Sequence, residues 1–264
     1  MQAEINGHKL NYTVKGSDAG LPVVFIHGFP FSHRMWDPQL AALPPRFRGI
    51  AYDVRGHGLS EPGDGQFSIE FFVDDLISLL DYLDVKQAVL CGLSMGGYIT
   101  LRAVERHPKR FKAMVLCDTR SEADTNEGKI KRAETISAIK SSGVYAFAED
   151  FLKLVLTPET FENHPVVADK VRGMMVTNSP RGVCGTLLAL AARTDTTPAL
   201  EKMNIPALIL VGENDTLTPP ADAEKLQAQL PNAELHIVPH AAHMSNLENI
   251  AFFNERMLAF LDSF

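Results

Sequence analysis

The chain predicts an α/β fold: a doubly wound, mostly parallel sheet that opens with an antiparallel hairpin and is interrupted by a block of helices. Three observations carry this expectation. Short continuous apolar runs, such as residues 22–26, 49–54, 113–117 and 207–211, suit strands covered on both faces. Segments with apolar residues at helical spacing alternate with those runs, as a parallel sheet with crossover helices requires. Between residues 121 and 196 no buried-strand run occurs, so the alternation stops there and resumes afterwards.

Taken in order, residues 3–14 alternate polar and apolar positions around Asn6-Gly7, a pair that tolerates the positive φ angles of a tight hairpin turn. Two apolar runs follow, one ending at His27-Gly28 and one ending at Arg55-Gly56-His57-Gly58. Ser68 is placed to cap a helix whose buried face is Ile69, Phe72, Val73, Leu76, Leu79, Leu80 and Leu83. That helix feeds the strand 87–91, after which residues 95–107 read as a helix stopped by Pro108, and 113–117 as the next strand. The strand-free block offers helical stretches at 130–140, 145–156, 168–175 and 182–192, the size of a lid over an α/β core. Strand character returns at 207–211, then a helix at 220–230, a strand at 234–238 and a terminal helix at 246–260. The expected division is a core of residues 1–120 and 197–264 with a helical cap at 121–196.

Composition narrows the classes. A length of 264 residues with 45% hydrophobic content fits one α/β domain with an insertion. The formal net charge of −7, without a dense Lys/Arg cluster, gives no electrostatic reason to bind a phosphate backbone, so nucleic acid is not expected as a partner. No apolar run is long enough to span a bilayer and the first residues lack a signal-peptide pattern, so the expectation is a cytoplasmic protein without a membrane partner. The three cysteines, Cys91, Cys117 and Cys184, lack metal-ligand spacing and read as reduced thiols.

The chemistry centres on Gly92-Leu93-Ser94-Met95-Gly96, which lies between a strand-like run and a helix-like segment. A sharp strand-to-helix turn strains the serine backbone and exposes its hydroxyl, and its neighbours must lack side chains for strand and helix to approach. Ser94 is therefore the candidate nucleophile. A serine hydroxyl needs a base, and the base needs an acid that fixes its tautomer and stabilises the imidazolium. Asp215 and His243 each follow a late strand, in the order Ser, acid, His that this architecture predicts.

These motifs resemble those of the α/β-hydrolase superfamily, of the capped esterase and 3-oxoadipate enol-lactonase type. The resemblance is carried by His27-Gly28-Phe29-Pro30, the segment Asp53 to Gly58, Gly92 to Gly97, Gly212 to Asp215, and His243 to Glu248; the segment Cys117 to Asp124 is similar to enol-lactonase-like members. It implies an α/β-hydrolase fold with Ser94 as nucleophile, Asp215 as acid and His243 as base. The backbone amides of Met95, at a helix N-terminus, and Phe29, beside the elbow, are the expected oxyanion hole. The implied reaction is hydrolysis of a small ester or lactone through an acyl-enzyme, with no metal and no organic cofactor; a perhydrolase side activity uses the same intermediate.

Other readings stay open at this level. The same triad serves carbon–carbon bond hydrolases and lyases, and some members of such folds only sense a small molecule. Serine in place of aspartate at position 94 argues against haloalkane dehalogenation. Asp118, after a strand end, is a rival to Asp215 as the acid. Asp53, His57 and His27 read as structural groups bracing loops. His240-x-x-His243 lacks a third ligand for a metal. His240 and Ala242 replace glycines common in the family. Met35 and Trp36 are either pocket wall or core.

Overall fold

The computed structural model describes residues 1–264. The chain opens with strands β1 (Gln2–Ile5) and β2 (His8–Lys15), joined at Asn6 and Gly7, whose φ values of 49° and 81° are those a type I′ hairpin demands. Strands β3 (Leu21–Ile26), β4 (Phe47–Tyr52), β5 (Ala88–Leu93), β6 (Phe111–Cys117), β7 (Ala207–Gly212) and β8 (Ala233–Val238) complete one eight-stranded sheet. Its order is β1-β2-β4-β3-β5-β6-β7-β8; β1–β2 and β2–β4 pair antiparallel and every other pair is parallel.

Side-chain alternation along the strands explains the continuous apolar runs, because both faces are covered. Val24, Ile26, Ile50, Tyr52 and Leu90 point into one core, and Val23, Phe25, Ala51, Val89 and Cys91 into the other. Helix α2 (Ile69–Tyr82) lays Phe72, Leu76 and Leu79 on the first face, each fully buried and each contributing about 1.5–3 kcal/mol of transfer free energy. Its N-terminus is capped as expected, the Ser68 side chain accepting from Phe71 N. Helix α3 (Met95–Arg106) packs on the same face through Ile99 and Leu101. On the opposite face, Trp36 and Met35 are wholly buried, the indole 5.3 Å from the Phe25 ring and 6.2 Å from Phe253 between centroids. They belong to the core and do not line the pocket.

Two short helices escape sequence periodicity, α1 (Asp37–Ala42) and, later, α5 (Pro158–Asn163): six residues hold too few apolar repeats to register as a helix. Between β6 and β7 the chain forms α4 (Asn126–Val155), α5, α6 (Pro165–Val176) and α7 (Pro180–Ala191), with no strand among them. Helix α4 is broken at Gly143, whose φ of 80° is non-helical, which separates the two stretches expected at 130–140 and 145–156. Helix α8 (Pro220–Gln229) links β7 to β8. The terminal helix is two pieces, α9 (Ser245–Glu248) and α10 (Ile250–Leu261), because the Asn249 side chain accepts from Phe252 N and starts a new helix. Cys91, Cys117 and Cys184 are free and buried. No helix is long and apolar enough to cross a membrane.

Candidate active site

Ser94 stands between β5 and α3 with φ 53° and ψ −112°, a conformation costing about 1–3 kcal/mol that persists only where its surroundings enforce it. The enforcement is visible in the glycines. A Cβ on Gly92 would stand 2.2 Å from Gly96 O, and one on Gly96 would stand 2.1 Å from Ile26 O. Ser94 N donates to Cys117 O (2.9 Å), and Ser94 O accepts from Gly97 N (2.9 Å) and from the Thr119 hydroxyl (2.8 Å). The peptide is clamped on both sides, and its side chain is turned to a cavity.

That cavity, of about 750 Å³, is lined by Ser94, His243, Phe29 and Met95 from the sheet edge and by Phe147, Phe151 and Leu154 from α4. Phe147 and Phe151, one turn apart, stack with centroids 5.3 Å apart and lie 6.1 and 6.2 Å from Phe29, making an apolar wall of the cavity. Charged side chains, Arg120, Asp124 and Lys131 among them, also line it.

His243 is buried, and its Nδ1 lies 2.8 Å from Asp215 Oδ2. Asp215 also accepts from Leu217 N (2.8 Å), Thr218 N (3.1 Å) and the Thr218 hydroxyl (2.8 Å). Burial opposes its charge, but the His243 partnership and the Thr218 donors outweigh that penalty and hold the carboxyl below its usual range. An ionised acceptor at Nδ1 selects the tautomer with its proton on Nδ1 and leaves Nε2 as the acceptor. Ser94 makes no hydrogen bond to His243.

Asp118 is differently occupied. Its carboxylate accepts from Gly212 N (2.8 Å) and from the Ser245 hydroxyl, and it makes no hydrogen bond to His243. Burial, followed by the neighbouring Asp215 charge, raises its pKa well above the usual carboxylate range. Phe29 N and Met95 N make no hydrogen bond within the protein, Met95 being the first residue of α3, where the helix leaves its N–H groups unpaired.

The turn behind Phe29 is held by buried polar groups. Asp53 accepts from Asn11 Nδ2 (2.9 Å), Leu59 N (3.0 Å), and both the amide and Nδ1 of His33 (2.7 Å each). Burial disfavours its charge, yet His33, His27 and the Leu59 amide hold it far below the ordinary range. His27 accepts from Val54 N at Nε2 (2.9 Å), so Nδ1 carries the proton and donates to Gly28 O (2.8 Å). Burial lowers His27 to about 4 and His57 to about 3, so both are neutral braces. His240 lies outside the cavity, and no cluster of three His, Cys, Asp or Glu side chains is arranged to hold a metal ion.

Several contributors were not singled out by sequence reasoning. Thr218 completes the Asp215 cradle, and the Asp215-x-x-Thr218 spacing of a side-chain-capped turn was the available signal. Thr119 holds the elbow peptide. Asn178, after α6, accepts from Gly58 N (2.8 Å) and donates to Pro30 O (2.6 Å), so the helical block is tied to the Phe29 loop across 148 residues. No local pattern announces such a contact.

Comparison with known proteins agrees with this architecture. Residues 22–250 match the family described as the alpha/beta hydrolase fold. The chain is 29% identical over 255 residues to 3-oxoadipate enol-lactonase 2 of Acinetobacter baylyi, covering 97% of this chain and 94% of that protein. Among solved structures it is similar to a thermophilic esterase from Thermogutta terrifontis with malate bound, at a TM-score of 0.96 and 32% identity, covering 100% of this chain and 98% of that one. The enol-lactonase from Burkholderia xenovorans LB400 superposes at a TM-score of 0.93 with 30% identity, covering 99% and 100%. With the strand-to-helix serine turn, the sheet order and the helical insertion all of one kind, the chain belongs to the α/β-hydrolase fold family and is a hydrolase of that general class.

Proposed function

We propose that the protein hydrolyses small carboxylic esters or lactones through an acyl-enzyme on Ser94, with His243 as base, Asp215 as its acid and the amides of Phe29 and Met95 as the oxyanion hole. One observation carries the reading: the His243 ring has Asp215 on Nδ1 and borders a cavity that also holds Ser94 and two unpaired amides. His243 takes the Ser94 proton as the hydroxyl oxygen attacks the carbonyl carbon, and the carbonyl oxygen becomes an oxyanion facing the two amides. Collapse breaks the bond to the leaving alkoxide, which His243 protonates. A water deprotonated by His243 then attacks the acyl-enzyme, and its collapse returns the proton to Ser94 and frees the acid. In a lactone the alcohol and acid stay in one product. Residues 121–196 act as the cap and residues 1–120 and 197–264 as the core, with Phe147 and Phe151 walling the acyl group. Steady-state hydrolysis of p-nitrophenyl esters of two to eight carbons and of a small lactone tests this, with the Ser94→Ala protein as the blank. Absence of turnover on all of them by folded protein sinks it.

The acid is tested separately. Asp215→Asn should lower kcat by about 10³- to 10⁴-fold, while Asp118→Asn should stay within about tenfold of wild type. A larger loss at Asp118 makes Asp118 the acid.

The basic side chains lining the cavity favour a substrate bearing a free acid. Arg120 makes no hydrogen bond, its Nε is buried without a partner, and its nearest carboxylates, Asp222 and Asp124, stand 3.7 and 4.0 Å away. Asp124 is bonded to Arg132 and Arg193 and Asp222 to Lys225, so the Arg120 guanidinium, in long ion pairs with both but hydrogen-bonded to neither, can donate to a substrate carboxylate. The named relatives fit, since an enol-lactone of 3-oxoadipate retains one carboxylate and malate is a dicarboxylate. Arg120→Met should raise KM about 10-fold or more for a half-ester of a dicarboxylic acid and leave the neutral diester within about twofold; equal effects on the two esters would remove Arg120 from substrate recognition.

A further inference from the structure

The loop bearing His243 is held from the cap by one carboxylate. Glu248 Oε1 accepts from Thr157 N (2.7 Å), the Thr157 hydroxyl (2.9 Å) and the Thr160 hydroxyl (2.6 Å), while Oε2 accepts from Ala242 N (2.7 Å). Beside it, Met244 N donates to Val155 O (3.1 Å). Both chain neighbours of His243 are therefore bonded, directly or through Glu248, to the joint between α4 and α5. A half-buried carboxylate is costly to desolvate and is repaid only when its donors are all in place, so the four-donor cradle resists shearing. The same α4 presents Phe147, Phe151 and Leu154 to the cavity in the two turns that end at Val155. A substrate pressing on that wall bears on the segment that holds Ala242 and Met244.

We infer that Glu248 is a positioning residue that couples the cap to the base, so that an acyl group filling the space under α4 sets the His243 imidazole against Ser94. The inference rests on the proposed roles of Ser94 and His243. Those two side chains are not hydrogen-bonded to each other in this structure, and displacement by about 1 Å is the scale on which such geometry changes a rate about 10²-fold. Neither packing nor helix capping explains the pattern by itself. Thr157 already caps α5 through Thr160 N, and an apolar residue at 248 would fill the same space without linking the two segments.

The test uses the full chain and two esters, p-nitrophenyl acetate, too short to load the Phe147–Phe151 wall, and p-nitrophenyl octanoate. In Glu248→Gln, kcat for the octanoate should fall about tenfold or more with KM little changed, and kcat for the acetate by about twofold. Thr160→Val leaves the histidine loop's sequence intact, removes one donor on the cap side, and should show the same chain-length dependence in smaller degree. In that variant, hydrogen exchange of the amides of Ala242 and Met244 should be faster than in wild type. Equal losses on both esters, or unchanged exchange at 242–244 in Thr160→Val, overturn the coupling. Failure of the wild type to turn over either ester instead counts against the proposed ester hydrolysis, and the exchange measurement, which needs no turnover, still decides the coupling.

Discussion

Ser94→Ala is expected to fold as wild type and to lose about 10⁵- to 10⁶-fold in kcat on any ester the protein accepts. The size follows from what is removed. In the proposed mechanism no covalent acyl-enzyme forms without Oγ, and the proposed oxyanion hole and the cavity should retain only the about 10³- to 10⁴-fold advantage over water that binding and electrostatics provide. The fold should survive because the bonds that shape the elbow are made by the Ser94 backbone, from Cys117 O, Gly97 N and Thr119, and alanine keeps them all. The φ of 53° costs alanine no less than serine, so stability should change little. The measurement is residual turnover beside thermal unfolding and stoichiometric labelling by a fluorophosphonate. Wild-type-like labelling of the variant would place the nucleophile elsewhere.

His243→Ala should match it within about tenfold, because in the proposed mechanism nucleophile and base act as a unit and either loss abolishes the step. The structural consequence differs. Asp215 loses one of the two donors at Oδ2 while staying buried, yet it keeps Leu217 N, Thr218 N and the Thr218 hydroxyl, so the cost should be about 1–3 kcal/mol and not unfolding. Imidazole added at high concentration should restore part of the activity in His243→Ala and none in Ser94→Ala. Near-normal turnover by His243→Ala would dismiss it as the base.

Much of this architecture was legible in the chain because it rests on local rules. Asn6-Gly7 demands a hairpin turn, Ser68 caps α2, and the apolar runs at β3, β4, β5, β6 and β7 are buried on both faces as their composition implies. The glycines around Ser94 announce a close strand-to-helix approach before any coordinate does, and the order Ser94, Asp215, His243 places three groups on loops of one sheet edge. Short helices were not legible: α1 and α5 hold too few turns to show periodicity, and Asn249 splits the terminal helix by a cap that an apolar pattern conceals.

What a sequence determines by itself is the local part: backbone conformation at special residues, the period of each element, and the residue types that the chemistry needs. Which carboxylate meets His243 was a tertiary decision. Asp118 and Asp215 both follow strand ends, and only the packed structure assigns Asp118 to Gly212 and Ser245 and leaves Asp215 at Nδ1. Tertiary structure likewise put Trp36 in the core, left the Arg120 guanidinium beside the cavity without a hydrogen bond, and joined Glu248 to Thr157 across 91 residues. Such contacts depend on distances between segments remote in the chain. Those distances come from how the helices pack on the sheet, and no short stretch of residues carries them.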